Sequence, residues 1–265
     1  MTTHESHIAK WLVVLLRPIH FLIMTFTFRT SIRHRDRLPT DGLMIYAPTH
    51  RSMWDTLAVA WLLKGPLRCI ANRNDFVGLQ GWFMRRMGAF PVDLARPEAS
   101  ALRHSRELVL AGGEPFVLFP EATIYYYPPD QVHPIKPGLA WLALLCAERA
   151  GDKPLRIVPI RLNYGDRFLK FRSRIDIVVQ PPIDVREYLD RPRKEAIAAL
   201  TERVQAALGD EVNTSTAERY PEKPDLPRER GDASRASVST SRASKWIRIL
   251  DRETRAEIRG LHRIR

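Results

Sequence analysis

Apolar residues along the chain fall into two patterns. Between Gly42 and about Gly209 short apolar runs alternate with longer amphipathic stretches. Leu43–Ala47, Leu67–Ala71, Ala89–Asp93, Phe116–Phe119, Arg156–Arg161 and Ile175–Val179 read as strands. Helices are predicted between them. Thr56–Lys64 follows Asp55, a favourable N-cap residue, and Pro97–Ala111 opens with proline at its first position. Leu139–Ala150 and Arg193–Leu208 complete the set, the last with Ile197, Leu200, Val204 and Leu208 on one stripe. This alternation predicts an α/β fold with a mixed, partly parallel sheet flanked by helices.

The second pattern is Trp11 to Phe28, an almost unbroken apolar stretch of 18 residues. As a helix it would be roughly 27 Å long, close to the thickness of a bilayer core. Arg17, Pro18 and His20 sit at its centre, where a charge is costly and a proline kinks. Two short apolar helices meeting near Arg17 and Pro18 and dipping into one leaflet fit better than a straight span. The following Arg29–Arg37, rich in arginine, reads as a basic linker on the cytoplasmic side of a membrane. After Gly209 large apolar residues almost vanish, then return at helical spacing as Ile247, Leu250, Ile258 and Leu261 among Arg and Glu. Four segments follow: N-terminal membrane-associating helices with a basic linker (1–39), a catalytic-sized α/β domain (40–209), a disordered linker (210–244) and a basic amphipathic helix (245–265).

Composition narrows the partners. The 265 residues carry 42 Lys+Arg against 30 Asp+Glu, a formal +12, so an anionic partner is expected. Nucleic acid fits poorly, because the basic residues are not interleaved with aromatics on a recognisable module; a basic nucleic-acid-binding protein stays the remote alternative. Two cysteines, Cys69 and Cys146, both in apolar runs, exclude a disulfide scaffold. No Cys/His spacing suits zinc and no glycine-rich loop suits a nucleotide, so neither a metal nor a cofactor is expected.

The candidate chemistry lies at strand ends. Leu43–Ala47 runs into Pro48-Thr49-His50-Arg51-Ser52-Met53-Trp54-Asp55. On a continuous helix positions five apart point about 140° away from each other, so His50 and Asp55 can meet only across a turn. Met there, histidine serves as a general base and the acid orients its other nitrogen. A second strand ends in Phe119-Pro120-Glu121-Ala122-Thr123, a third in Phe90-Pro91-Val92-Asp93 with Arg96 following, and a fourth carries Val158-Pro159-Ile160.

In this order, H-x4-D, G-x-F-x-V-D, F-P-E-x-T and V-P-I resemble the glycerolipid acyltransferases over about residues 40–185. The chain is most similar to the bacterial-type 1-acylglycerol-3-phosphate (lysophosphatidate) acyltransferases. The resemblance implies transfer of a fatty acyl group from acyl-CoA or acyl carrier protein to the free hydroxyl of 1-acylglycerol-3-phosphate. It implies His50 as general base and Asp55 as its orienting acid, the logic of a serine-protease triad with the substrate hydroxyl in place of serine. Glu121, Thr123 and Pro159 match family positions around the substrates. Two family arginines are missing, with Leu94 and Ile124 in their places and Ala122 for a family glycine. Arg96, Arg103 and Lys136 are the candidates to hold the acceptor phosphate instead. The substitutions keep a second reading open: the same reaction on glycerol-3-phosphate, another lysophospholipid or a hydroxylated lipid precursor.

Overall fold

The computed structural model describes residues 8–93, 99–124, 132–165 and 171–209. The chain divides into two units, Met1–Tyr220 and Pro221–Arg265, and every described residue belongs to the first. The linker and the basic helix expected over 210–265 therefore lie outside the described residues, as do Leu94, Arg96 and Tyr125–Tyr127.

Eight strands form one sheet: β1 (Phe28–Arg33), β2 (Leu43–Pro48), β3 (Arg68–Asn72), β4 (Ala89–Val92), β5 (Phe116–Val117), β6 (Leu155–Tyr164), β7 (Ser173–Val179) and β8 (Ile183–Asp184). Their order is β1-β7-β6-β2-β5-β3-β4. From β6 to β4 all neighbours are parallel, while β7 runs antiparallel to β6 and carries β1 parallel beside it. β8 also pairs with β6, antiparallel, with Ile183 opposite Ile157. Val179 pairs with Ile160 and Ile183 with Ile157, so four steps on one side match three on the other; Gln180 still donates to the Pro159 carbonyl, and Pro181-Pro182 bulges out. Pro91 sits in β4, the edge strand, where a missing N–H costs no ladder bond.

The helices are α1 (Lys10–Leu22), α2 (Asp55–Leu63), α3 (Gly78–Arg86), α4 (Ala99–Ala111), α5 (Gly138–Ala147) and α6 (Arg193–Gly209). α2 fills one side of the sheet: Ala58, Val59 and Leu62 join Tyr46, Val117, Cys69 and the even-numbered residues Val158, Ile160, Leu162 and Tyr164 of β6 in one buried cluster. Met24 and Phe28, just after α1, and Met84 of α3 pack against the same cluster. On the opposite side α4 meets α5, and α5 meets α6, which contacts β6. α5 is buried from Leu139 to Ala147, so its sequence there is apolar all round.

Several expectations are corrected. α1 is one helix running through Pro18, not two meeting there, and it ends in a π-helical turn over Ile23–Thr27. Pro18 is exposed, and neighbouring residues hold the helix: His20 Nε2 lies 3.0 Å from the Leu57 carbonyl, and Phe21 packs on Trp61. The supposed basic linker contains β1, an edge strand, so the α/β fold begins before residue 40. Its arginines work within the fold: Arg35 donates to the Leu62 carbonyl and Arg37 to that of Val179. α3 and β8 were not foreseen. α4 is described from Ala99, leaving Pro97 outside.

Two glycines hold the α3 region. A Cβ on Gly81 would lie 2.4 Å from the Phe76 carbonyl carbon. Gly88, at φ +101°, would put one 2.3 Å from the Leu67 oxygen.

Candidate active site

β6, β2 and β5 are neighbours and parallel, so their C-terminal ends converge on one edge of the sheet, where sites of open α/β sheets form. Each supplies a part. β2 leads to the loop Thr49–Trp54, β5 to Glu121, and β6 ends on Tyr164.

The loop after β2 is tied to β6. Thr49 N–H donates to the Ile160 carbonyl (2.9 Å), and its hydroxyl accepts from the Leu162 N–H (2.9 Å). The next residues curl round the Asp55 carboxylate. Its Oδ2 accepts from the backbone N–H of Arg51 (2.6 Å) and of Ser52 (2.8 Å), and lies 2.8 Å from His50 Nδ1. The Tyr164 hydroxyl donates to Oδ1. Asp55 was expected to cap α2. It is instead the first residue of the helix, with Trp54 at the cap, and its carboxylate binds the preceding loop and the imidazole. There it also meets the positive end of the helix dipole.

The His50 ring is thus hydrogen-bonded through Nδ1 alone among the described residues. Asp55 is fully buried, whereas 20% of the His50 side chain is exposed. The ring stacks on Phe119 with centroids 4.2 Å apart. Among the described residues no hydrogen bond reaches Nε2. With Nδ1 beside the carboxylate, Nδ1 carries the proton and Nε2 offers a lone pair outward. This arrangement can accept a proton and hold the resulting imidazolium against a buried anion.

Glu121 acts on the same loop. Both its oxygens accept from Arg51 Nη1, at 2.9 and 2.7 Å, and Oε1 also accepts from the His50 N–H at 3.2 Å. Neither residue faces water: Glu121 is fully buried and Arg51 nearly so. Burial pushes the Glu121 carboxyl up, against the pull of the Arg51 guanidinium. Burial beside the Asp55 charge raises the Tyr164 phenol well above its ordinary value, so it stays a donor. Ala122, following Glu121, has φ +60°, the left-handed conformation that glycine favours.

The other candidates are placed as follows. Thr123 is exposed just beyond Ala122. Lys136 is exposed, and its backbone N–H donates to the Pro120 carbonyl at 2.8 Å, which fixes it beside the Glu121 turn and two residues before α5. Pro159 is buried inside β6 opposite Ala47, on the odd-numbered side of the strand away from Tyr164. Arg103 is exposed on α4. Arg51, Phe119 and Tyr164 were not foreseen. A phenol continuing the series Val158, Ile160, Leu162 was the available signal for Tyr164.

The comparisons with known proteins agree with one another. The model of the Acyltransferase family matches residues 29–163, from β1 to the end of β6. The chain is 26% identical over 192 residues to the 1-acyl-sn-glycerol-3-phosphate acyltransferase of Streptococcus pneumoniae. That match covers 69% of this chain and 66% of the relative, just under two thirds of its length. The enzyme of the same name from Bacillus subtilis is 23% identical over 194 residues, covering 72% of this chain and 92% of the relative. The fold is similar to the crystal structure of the 1-acyl-sn-glycerophosphate (LPA) acyltransferase from Thermotoga maritima. The TM-score is 0.54 at 17% identity, over 81% of this chain and 83% of that one.

Proposed function

The chain belongs to the acyltransferase family, and we propose that it transfers a fatty acyl group from acyl-CoA or acyl carrier protein to the free hydroxyl of 1-acylglycerol-3-phosphate, giving phosphatidic acid. The observation that carries this reading is the His50–Asp55 pair: a buried carboxylate 2.8 Å from one imidazole nitrogen, with the other turned outward at the open edge of the sheet.

In this reading His50 Nε2 takes the proton of the acceptor hydroxyl as that oxygen attacks the thioester carbonyl. The imidazolium formed is stabilised by Asp55. The tetrahedral intermediate then collapses, the carbon–sulfur bond breaks, and the leaving thiolate takes the proton back from His50. No acyl-enzyme is required. Glu121 and Arg51 position the loop rather than touch substrate. Lys136 and Arg96 are assigned to the acceptor phosphate; Lys136 carries a cation beside the turn that holds Glu121 and Thr123.

The half-buried Ile124, where the family motif has arginine, supports the second reading, an acceptor other than lysophosphatidate. We assign the protein to a membrane surface, on its cytoplasmic face. The segment Lys10–Thr27 is long and apolar enough to cross a membrane by length and composition. One stripe of it, however, is held by α2 through His20 and Phe21, which favours a helix lying in the surface.

The test is phosphatidic acid formation by purified protein in mixed micelles, followed by mass spectrometry. His50→Ala should lower the rate by about 10²-fold or more, the scale of a positioned base. Undiminished transfer would remove His50 from that role. A panel of acceptors at fixed donor separates the two readings.

A further inference from the structure

Large apolar side chains that are exposed among the described residues come from few elements, and α1 and α3 among these pack with α2 on one side of the sheet. They come from α1 and its π-helical turn, from Met53 in the His50 loop, from Val77–Phe83, and from Phe171; none comes from α4, α5 or α6. α3 stands out within this set. Its outward residues Leu79, Trp82 and Phe83 recur at the spacing of one helical side, and Leu79 is 80% and the preceding Val77 71% exposed. Its inward side is Gly81 against the Phe76 backbone, with Met84 on the core. A helix on a water-facing surface carries polar residues outward; this one carries a tryptophan, a phenylalanine and a leucine.

Two further observations identify what covers it. First, the apolar surface is continuous with α1: the Ala9 N–H donates to the Arg86 carbonyl at 2.9 Å, so the start of α1 abuts the end of α3. Second, α3 ends in cations laid over aromatic rings. The Arg86 guanidinium sits 5.3 Å from the Trp82 ring centre, and that of Arg85 5.0 Å from Phe76. Tryptophan with arginine at the edge of an apolar surface is the composition of a membrane–water interface, and the +12 chain complements an anionic one.

We propose that α3 is a second bilayer-contact element: Leu79, Trp82 and Phe83 enter the headgroup–acyl boundary of an anionic membrane beside the outer side of α1, with Arg85 and Arg86 at the level of the phosphates. The proposal rests on the membrane association assigned above and adds an orientation to it. A single surface helix leaves the domain free to roll about its axis; two fixed elements do not. α3 starts at the end of the sheet where the parallel strands finish, the end that carries His50. Docking on both elements turns the rim marked by Met53 and Phe171 toward the lipid, so an acceptor can reach His50 while its chain remains in the bilayer.

The test uses the full-length protein with Leu79→Cys carrying an environment-sensitive nitrobenzoxadiazole label, and Lys194→Cys on α6 as the control. Cys69 and Cys146 are buried with thiols pushed up to about 12, so labelling falls on the introduced cysteine. With vesicles of phosphatidylcholine and phosphatidylglycerol, the label at 79 should shift to the blue and be quenched by nitroxide lipids, while that at 194 stays water-like. Leu79→Glu, at an exposed position, should keep the thermal midpoint and bind the vesicles about tenfold more weakly. Protein that floats with the vesicles while the label at 79 remains in water overturns the proposal and leaves membrane association standing. Protein that does not float overturns both. A blue shift that grows with protein concentration without vesicles assigns the surface to a second copy of the chain and overturns the proposal.

Discussion

Asp55→Asn separates the charge of the site from its shape. The Asp55 carboxylate takes hydrogen bonds from the Arg51 and Ser52 amides and the Tyr164 hydroxyl, and pairs with His50 Nδ1. An asparagine can keep this set. Its oxygen takes the place of Oδ2, and its NH2 faces the Tyr164 hydroxyl, which rotates to accept. The folded state should lose only about 1–3 kcal/mol, the value of exchanging charged for neutral hydrogen bonds. The transition state loses more. With charge centres about 4 Å apart and an effective dielectric constant near 20, a carboxylate stabilises the imidazolium by about 4 kcal/mol. At 1.36 kcal/mol per decade this is about 10³-fold in rate. The assay is the initial rate of phosphatidic acid formation at saturating donor, with thermal unfolding measured alongside. Asp55→Ala is the comparison: it strips acceptors from two buried amides and a phenol, at about 1–3 kcal/mol each, and should lower the unfolding midpoint strongly. An Asp55→Asn protein that keeps more than about a tenth of the wild-type rate would refute electrostatic support of His50, since losing that support costs about 10³-fold.

Three more outcomes follow from the same geometry. Arg51→Met leaves Glu121 buried without its cation, and chemical denaturation should show a loss of about 3–5 kcal/mol; the double variant Arg51→Met/Glu121→Leu should recover much of it. Ala122→Gly relieves a left-handed alanine and should stabilise the protein by about 1 kcal/mol in a thermal scan, with activity retained. Tyr164 holds its proton in the folded state above the value it has unfolded, so the native protein binds more protons on the alkaline side. Its contribution to stability is complete below about pH 10 and is lost as pH rises further, by up to about 1.4 kcal/mol per unit; denaturant midpoints of Tyr164→Phe should fall less steeply over that range.

The parts legible in the sequence are those whose signals are local. The six strand cores could be read because each is an apolar run bounded by a breaker, and His50, Asp55 and Glu121 because the ordered motifs that hold them resemble those of the glycerolipid acyltransferases. β1 was missed because arginines occupy its edge positions and give it the look of a linker; only its ladder with β7 reveals a strand. α3 was missed because its outer side is apolar too, which erases the contrast that marks an amphipathic helix. Arg51 reads as a surface residue until the fold brings Glu121 to it. Tyr164 fell outside because β6 continues three residues beyond the apparent end of its apolar run.

Around the local His50–Asp55 corner, the remaining hydrogen bonds of the site join distant parts of the chain. His50 and Glu121 are 71 positions apart, and Tyr164 and Asp55 109. Closing such loops is slow compared with forming a helix or a local turn. A chain leaving the ribosome can therefore set His50 on Asp55 early, within the β2–α2 corner, yet the corner gains the Thr49 ties and the Tyr164 hydroxyl only when β6 docks beside β2. Recovery of activity on refolding is then a clock for that docking.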